Sequence, residues 1–155
     1  MMNNYEKLLE KANEMGLSVK EVQMTKYDGL IRGRKIGIRK SIKTYAQKAD
    51  TLAEEIAHYR YTVGNILDQS ISENRKQENI ARFHAYNERI GLIGIINAYE
   101  AHFRNRFEMA EFLDVSEPFL AEALECYRKK YGVYKAVDNY LIMFEPNLAV
   151  IKLFD

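Results

Sequence analysis

The chain opens on a polar stretch in which Tyr5, Leu8, Leu9 and Ala12 recur at helical spacing. Asn4 can cap its first turn and Gly16 can end it. Leu17, Val19 and Val22 then alternate in a segment with few helix formers, which predicts a strand over 17–24. GLIRGRKIGIRK follows and reads as a short hairpin. Leu30 and Ile31 fall on one arm, Gly33 and Arg34 at the turn, and Ile36 and Ile38 alternate on the other arm.

The period changes near residue 43. Tyr45, Ala49, Leu52, Ile56, Tyr59 and Val63 recur at steps of four and three, predicting one helix over 43–63 that Gly64 and Asn65 stop. A loop, NILDQSIS, leads to a second long helix from about 73 or 74 to 89. The stretch from Gly91 to Tyr131 reads as three shorter helices. Ser116 caps the last, Pro118 sits in its first turn where a missing N–H costs nothing, and Gly132 ends it. The tail, YLIMFEPNLAVIKLF, holds two apolar runs broken by Pro146 and Asn147, which fits a pair of short strands or an extended arm.

These elements describe an α+β chain that is mainly α. With 155 residues, no repeat and no Pro/Gly-rich linker, it reads as one compact domain. Residues 1–90 would form the core, and 91–155 a helical extension packed on it. Hydrophobic residues at 47% and charged residues at 29% are ordinary for a folded chain. The 23 basic and 22 acidic side chains give a formal charge of +1, so no strong pull toward nucleic acid or membrane follows. Cys126 is the single cysteine, which excludes an internal disulfide and suits a reducing cytosol. The N-terminus is polar and amphipathic rather than a signal peptide, and no apolar run approaches a membrane span. The expected location is the cytoplasm.

The segment that bears chemistry is LAEEIAHYRYTVGNILDQ. Glu54 and His58 are four apart, so both project from one helix face, one turn apart. That spacing lets two ligands share one ion, as in HExxH, where two histidines bind zinc and the glutamate between them polarises a water. Here the string is Glu54-Glu55-Ile56-Ala57-His58, with Glu where the motif has its first His. Ala53 and Ala57 beside that face are small enough to admit a second helix. The next helix offers Glu78, Ala81 and Ala85 at matching steps, so two alanine-lined faces could bring Glu78 to Glu54 and His58. Taken alone, an EExxH string carries little information, and a solvated charged face is its default reading.

Three segments in order carry more. LAEEIAHYRYTVGNILDQ, ENRKQENIARFHAY and FEMAEFLDVSEPFLAEALECYRKKYG together resemble phage or mobile-element members of the ImmA/IrrE metallo-endopeptidase family. The N-terminal helix and hairpin fit that family's order of elements. The resemblance implies a zincin-like helical domain with a small N-terminal β-sheet and a C-terminal, helix-turn-helix-like extension. By position it makes Glu55 the general base and His58 and Glu78 metal ligands, with Glu54 in the remaining ligand place. One histidine with two carboxylates is a harder, more anionic donor set than the family's own, which fits zinc less selectively, admits manganese, or leaves the site without an ion. The implied activity is cleavage of a cognate helix-turn-helix repressor. The alternative is a metal-free pseudopeptidase that binds a repressor or antirepressor.

Other residues read as structural. His84 lies six residues after Glu78 on another helical face, His102 sits near a helix C-terminus, Tyr59 continues the apolar stripe, and Cys126 reads as a small core residue. Tyr61 could donate to a substrate oxygen. FEMAEFLDVSEPFLAEALECY has the form of a helix-turn-helix, but Glu117, Glu122 and Glu125 on its second helix would face phosphates. A structural hairpin or a protein-docking surface is the better reading of it.

Overall fold

A computed structural model describes residues 1–62 and 72–155. The chain forms two compact units, Met1–Glu88 and Arg89–Asp155. Among the described residues no helix is long and apolar enough to cross a membrane.

The first unit opens with helix α1 (Asn4–Glu14). Its cap is Asn3 rather than Asn4. The Asn3 side chain accepts from the Glu6 amide and the Glu6 side chain reaches back to the Asn3 amide, a reciprocal capping box. Tyr5, Leu8 and Ala12 are its buried stripe. Strands β1 (Ser18–Val22), β2 (Gly29–Arg32) and β3 (Lys35–Arg39) form one sheet in the order β1-β3-β2. β2 and β3 are the antiparallel hairpin, with Ile31 opposite Ile36, while β1 runs parallel to β3 on its other side. Ile36 and Ile38 point into the core, as the alternation along β3 requires. Gly33, in the two-residue turn, has φ +60, a conformation glycine adopts at no steric cost.

Helix α2 (Tyr45–Tyr61) starts at Thr44, whose side chain accepts from the Gln47 amide. Its middle is buried on nearly every side. Ala49, Leu52, Ala53, Ile56 and Ala57 face the core, and Asp50, Thr51 and Glu55 are buried with them. Two positions of the expected stripe differ. Tyr45, in the first helical turn, is 61% exposed, with its ring near Tyr5 and under the Lys48 amine. Tyr59 is half-buried against the core, and Val63 lies outside the described residues. Glu21 ties three elements together, accepting from the Tyr5 hydroxyl at 3.2 Å and pairing with Lys48 at 2.7 Å. The loop expected to follow, with Gly64 and Asn65, also lies outside the described residues. Helix α3 (Ser72–Arg89) adds Ala81 and Ala85 to the core cluster that holds Ala53 and Ala57.

The second unit contains α4 (Gly91–Glu100), α5 (Arg106–Leu113) and α6 (Glu117–Tyr131). Asp114, with φ 57, turns the chain out of α5, and Ser116 caps α6 by accepting from the Phe119 amide. Gly132, at φ +79, closes α6. A three-stranded antiparallel sheet follows, β4 (Tyr134–Val137), β5 (Tyr140–Met143) and β6 (Ala149–Lys152), in the order β4-β5-β6. The pair of short strands expected in the tail is present as β5 and β6, and β4 is a third that the sequence did not indicate. β4 lacks a sequence signal because its residues YKAV are mostly exposed and do not alternate. It becomes a strand by pairing with β5. Cys126 is half-buried rather than core, and its thiol pKa is pushed up by burial.

Candidate functional site

The chemistry-bearing residues gather on one flank of α2. The α-helical rise places Thr51, Glu55 and His58 along one side, and β2 packs against that side at Gly29. A Cβ at Gly29 would stand 2.6 Å from the Thr51 methyl and 3.2 Å from Glu55 Oε1, so only glycine lets the strand backbone lie this close to the helix. Thr51 is itself held, donating its hydroxyl to the Gln47 carbonyl at 2.9 Å. β2 is an outer strand of its sheet, so one of its edges is unpaired within that sheet.

His58 is the hub. Its Nδ1 lies 3.6 Å from Glu55 Oε2 and its Nε2 lies 2.8 Å from Glu78 Oε2 on α3. The second separation is short, and Nε2 is buried. The contact is therefore a close ionic approach. The other Glu78 oxygen accepts from Arg82 Nε at 2.6 Å, one turn further along α3.

Electrostatics follow from this packing. Burial opposes charging the His58 imidazole, but the Glu55 and Glu78 carboxylates outweigh it and push its pKa up to about 10. Burial likewise opposes the Glu78 carboxylate, and its contacts with His58 and Arg82 pull its pKa down to about 2. Arg82 is held cationic against its own burial by Glu78 and by the fields of Glu54 and Glu78.

Each residue singled out from the sequence now has a place. Glu55, His58 and Glu78 converge, with His58 in the middle. Glu54 is half-buried on α2 and couples electrostatically to Arg82. No group of three His, Cys, Asp or Glu side chains able to hold a metal forms among the described residues. An imidazole nitrogen and a carboxylate oxygen are donor types that a divalent cation takes, provided that the imidazole gives up the proton its carboxylate neighbours favour. His84 stacks on Tyr61, centroids 3.8 Å apart and 8° from parallel, which directs both rings to each other. His102 is exposed just past α4.

Arg82, Gly29 and Thr51 were missed in the sequence. Arg82 had a signal, since Glu78 and Arg82 are spaced i,i+4 on one helix. Gly29 had none, because its role depends on a strand crossing a helix. A cavity of about 200 Å³ opens elsewhere on α2, toward α1 and α3, with Leu8, Ala53 and Ile56 in its wall. It touches none of Glu55, His58 and Glu78.

Comparison with protein-family models, curated proteins and solved structures finds no match to this chain.

Proposed function

We propose that the chain is a peptide hydrolase of the ImmA/IrrE kind, zincin-like in its first unit, that acts in the cytoplasm on the helix-turn-helix repressor of a phage or mobile element. The observation that carries this reading is the convergence of Glu55, His58 and Glu78, with Glu55 packed against the outer strand β2. His58 Nε2 and Glu78 Oε2 would hold a divalent cation, zinc or manganese, with Glu54 one turn away as the further donor. Such an ion, when bound, acidifies a water and polarises the scissile carbonyl.

The chain's own groups supply the rest. An extended substrate segment pairs with the β2 edge, which Gly29 holds against the motif helix. Glu55, buried at the helix surface facing that strand, accepts the water proton on its carboxylate and delivers it to the leaving amine as the peptide C–N bond breaks. Nδ1 of His58 faces Glu55, so the base and the ligand are packed as one unit.

Arg82 favours a second reading, a metal-free pseudopeptidase that sequesters a repressor or antirepressor. It already places one cation on Glu78. The experiment that tests the hydrolytic reading is cleavage of the cognate repressor by wild type and Glu55→Gln, with metal analysis of the purified chain. General-base loss predicts a drop of about 10²–10⁴-fold for Glu55→Gln. Equal cleavage by both proteins rejects the hydrolytic reading. A wild type that binds the repressor without cutting it, and carries no ion, selects the second.

A further inference from the structure

The total charge of +1 hides an uneven distribution. Eight of the 23 basic side chains, but only two of the 22 acidic ones, fall between Lys20 and Lys43, the stretch that holds β2, β3 and most of β1. Both of those acids are already paired, Asp28 with Arg39 at 2.6 Å and Glu21 with Lys48 at 2.7 Å. The sheet has two unlike faces. One carries Ile31, Ile36 and Ile38 into the core and sets Gly29 against α2. The other, by strand alternation, carries Ser18, Lys20, Leu30, Arg32, Lys35 and Gly37.

On that outer face Arg32 and Lys35 stand directly opposite each other across the hairpin, and Arg34 lies in the turn between them. Lys20 is paired in register with Gly37, one row further along β3. All four cations are exposed, and among the described residues none of them forms an ion pair. Like charges directly opposite across two strands are destabilising, a cost that a multivalent anion would offset.

We propose that this outer sheet face and its hairpin turn bind the phosphate backbone of a nucleic acid through Lys20, Arg32, Arg34 and Lys35. What the face lacks selects the partner. Of residues 18–43, all described, no large apolar side chain is exposed. A protein interface is anchored by apolar or aromatic side chains at its centre, and a peripheral membrane contact by apolar side chains that insert. A phosphate backbone asks only for cations held in place, and strands about 4.8 Å apart hold them. Phosphate contacts carry no sequence information, so binding is independent of base sequence. None of Glu55, His58 and Glu78 takes part, so nucleic-acid binding and hydrolysis stand or fall separately.

The test is fluorescence anisotropy of the full chain with a short, mixed-sequence DNA duplex, in chelator. Four phosphate contacts predict a log–log salt slope of about −3.6, a loss on the order of 10²-fold between about 50 and 200 mM salt. The hairpin variant Arg32→Gln/Arg34→Gln/Lys35→Gln should bind at least about tenfold more weakly at the lower salt, with a slope shallower by about 3. Lys7→Gln/Arg106→Gln/Lys129→Gln removes the same charge from other elements and should stay within about twofold of wild type, because salt screens distant charges. Equal losses in the two triple variants, or no duplex binding by wild type at the lower salt, overturn the proposal. Tighter binding of polyglutamate or of phosphatidylserine vesicles than of the duplex also overturns it, in favour of an acidic protein or a membrane. Should the hairpin variant fail to fold, Arg32→Gln alone decides. A slope shallower by about 1 supports the proposal, and an unchanged slope refutes it.

Discussion

Helices α2 and α6 are similar in length, 17 and 15 residues, and both start from a hydroxyl cap, Thr44 and Ser116. They differ in what they bury. α6 is amphipathic in the ordinary way. Phe119, Leu120, Ala123, Leu124 and Tyr127 are buried, while Glu117, Glu122 and Glu125 stay in solvent. α2 buries Asp50, Thr51 and Glu55 among its apolar residues. Desolvating a carboxylate costs free energy that a solvated one does not, so a fold retains such a group only with compensating contacts. The comparison teaches that apolar spacing identifies both helices, while buried polar side chains set α2 apart.

The comparison breaks first at the apolar positions. Leu52 on α2 and Leu120 on α6 are both fully buried, and Leu→Ala at either should cost about 2–5 kcal/mol in denaturant unfolding. If Leu52→Ala were nearly neutral, α2 would not be the core element described. Gly29→Ala sharpens the contrast next. Its methyl would meet Thr51 at 2.6 Å, and overpacking of this kind costs about 1–3 kcal/mol. Because the strand must move away from Glu55, any hydrolytic activity should fall further than stability does. Among the described residues, no glycine holds a strand against α6 in this way.

The smallest effect is pH dependence, and its sign differs for the two groups involved. His58 is raised from 6.5 to about 10, so its contribution is fully present below pH 6.5 and is lost as pH climbs through about 10. Glu78 is lowered from 4.5 to about 2, so its contribution is present above pH 4.5 and is lost as pH falls through about 2. Metal-free Tm should therefore decline between pH 7 and 10 in wild type, and decline less in Glu78→Gln. Equal slopes would remove the His58–Glu78 pair from the account. The ion pair on α6, Glu125 with Arg128, has no such burial and should leave no comparable trace when broken.

Much of the architecture was legible in the residues themselves. The stripe Tyr5, Leu8, Ala12, the alternation of Ile36 and Ile38, and the cap-and-stop signals of Ser116, Pro118 and Gly132 are local codes, readable because each is satisfied within a few residues. The spacing of Glu54, Glu55 and His58 on one helix and Glu78 on the next was legible for the same reason. Tertiary structure alone decided the remainder. β1 pairs in parallel with β3 rather than with its neighbour in sequence, and β4 is a strand because β5 lies beside it. Gly29 meets Thr51 and Glu55 across 22 and 26 positions of sequence, and Arg82 takes one oxygen of Glu78 while His58 takes the other. These depend on contacts between distant segments, whose energies no local pattern encodes. Sequence supplied the side chains able to do the chemistry, and packing determined which of them share charge.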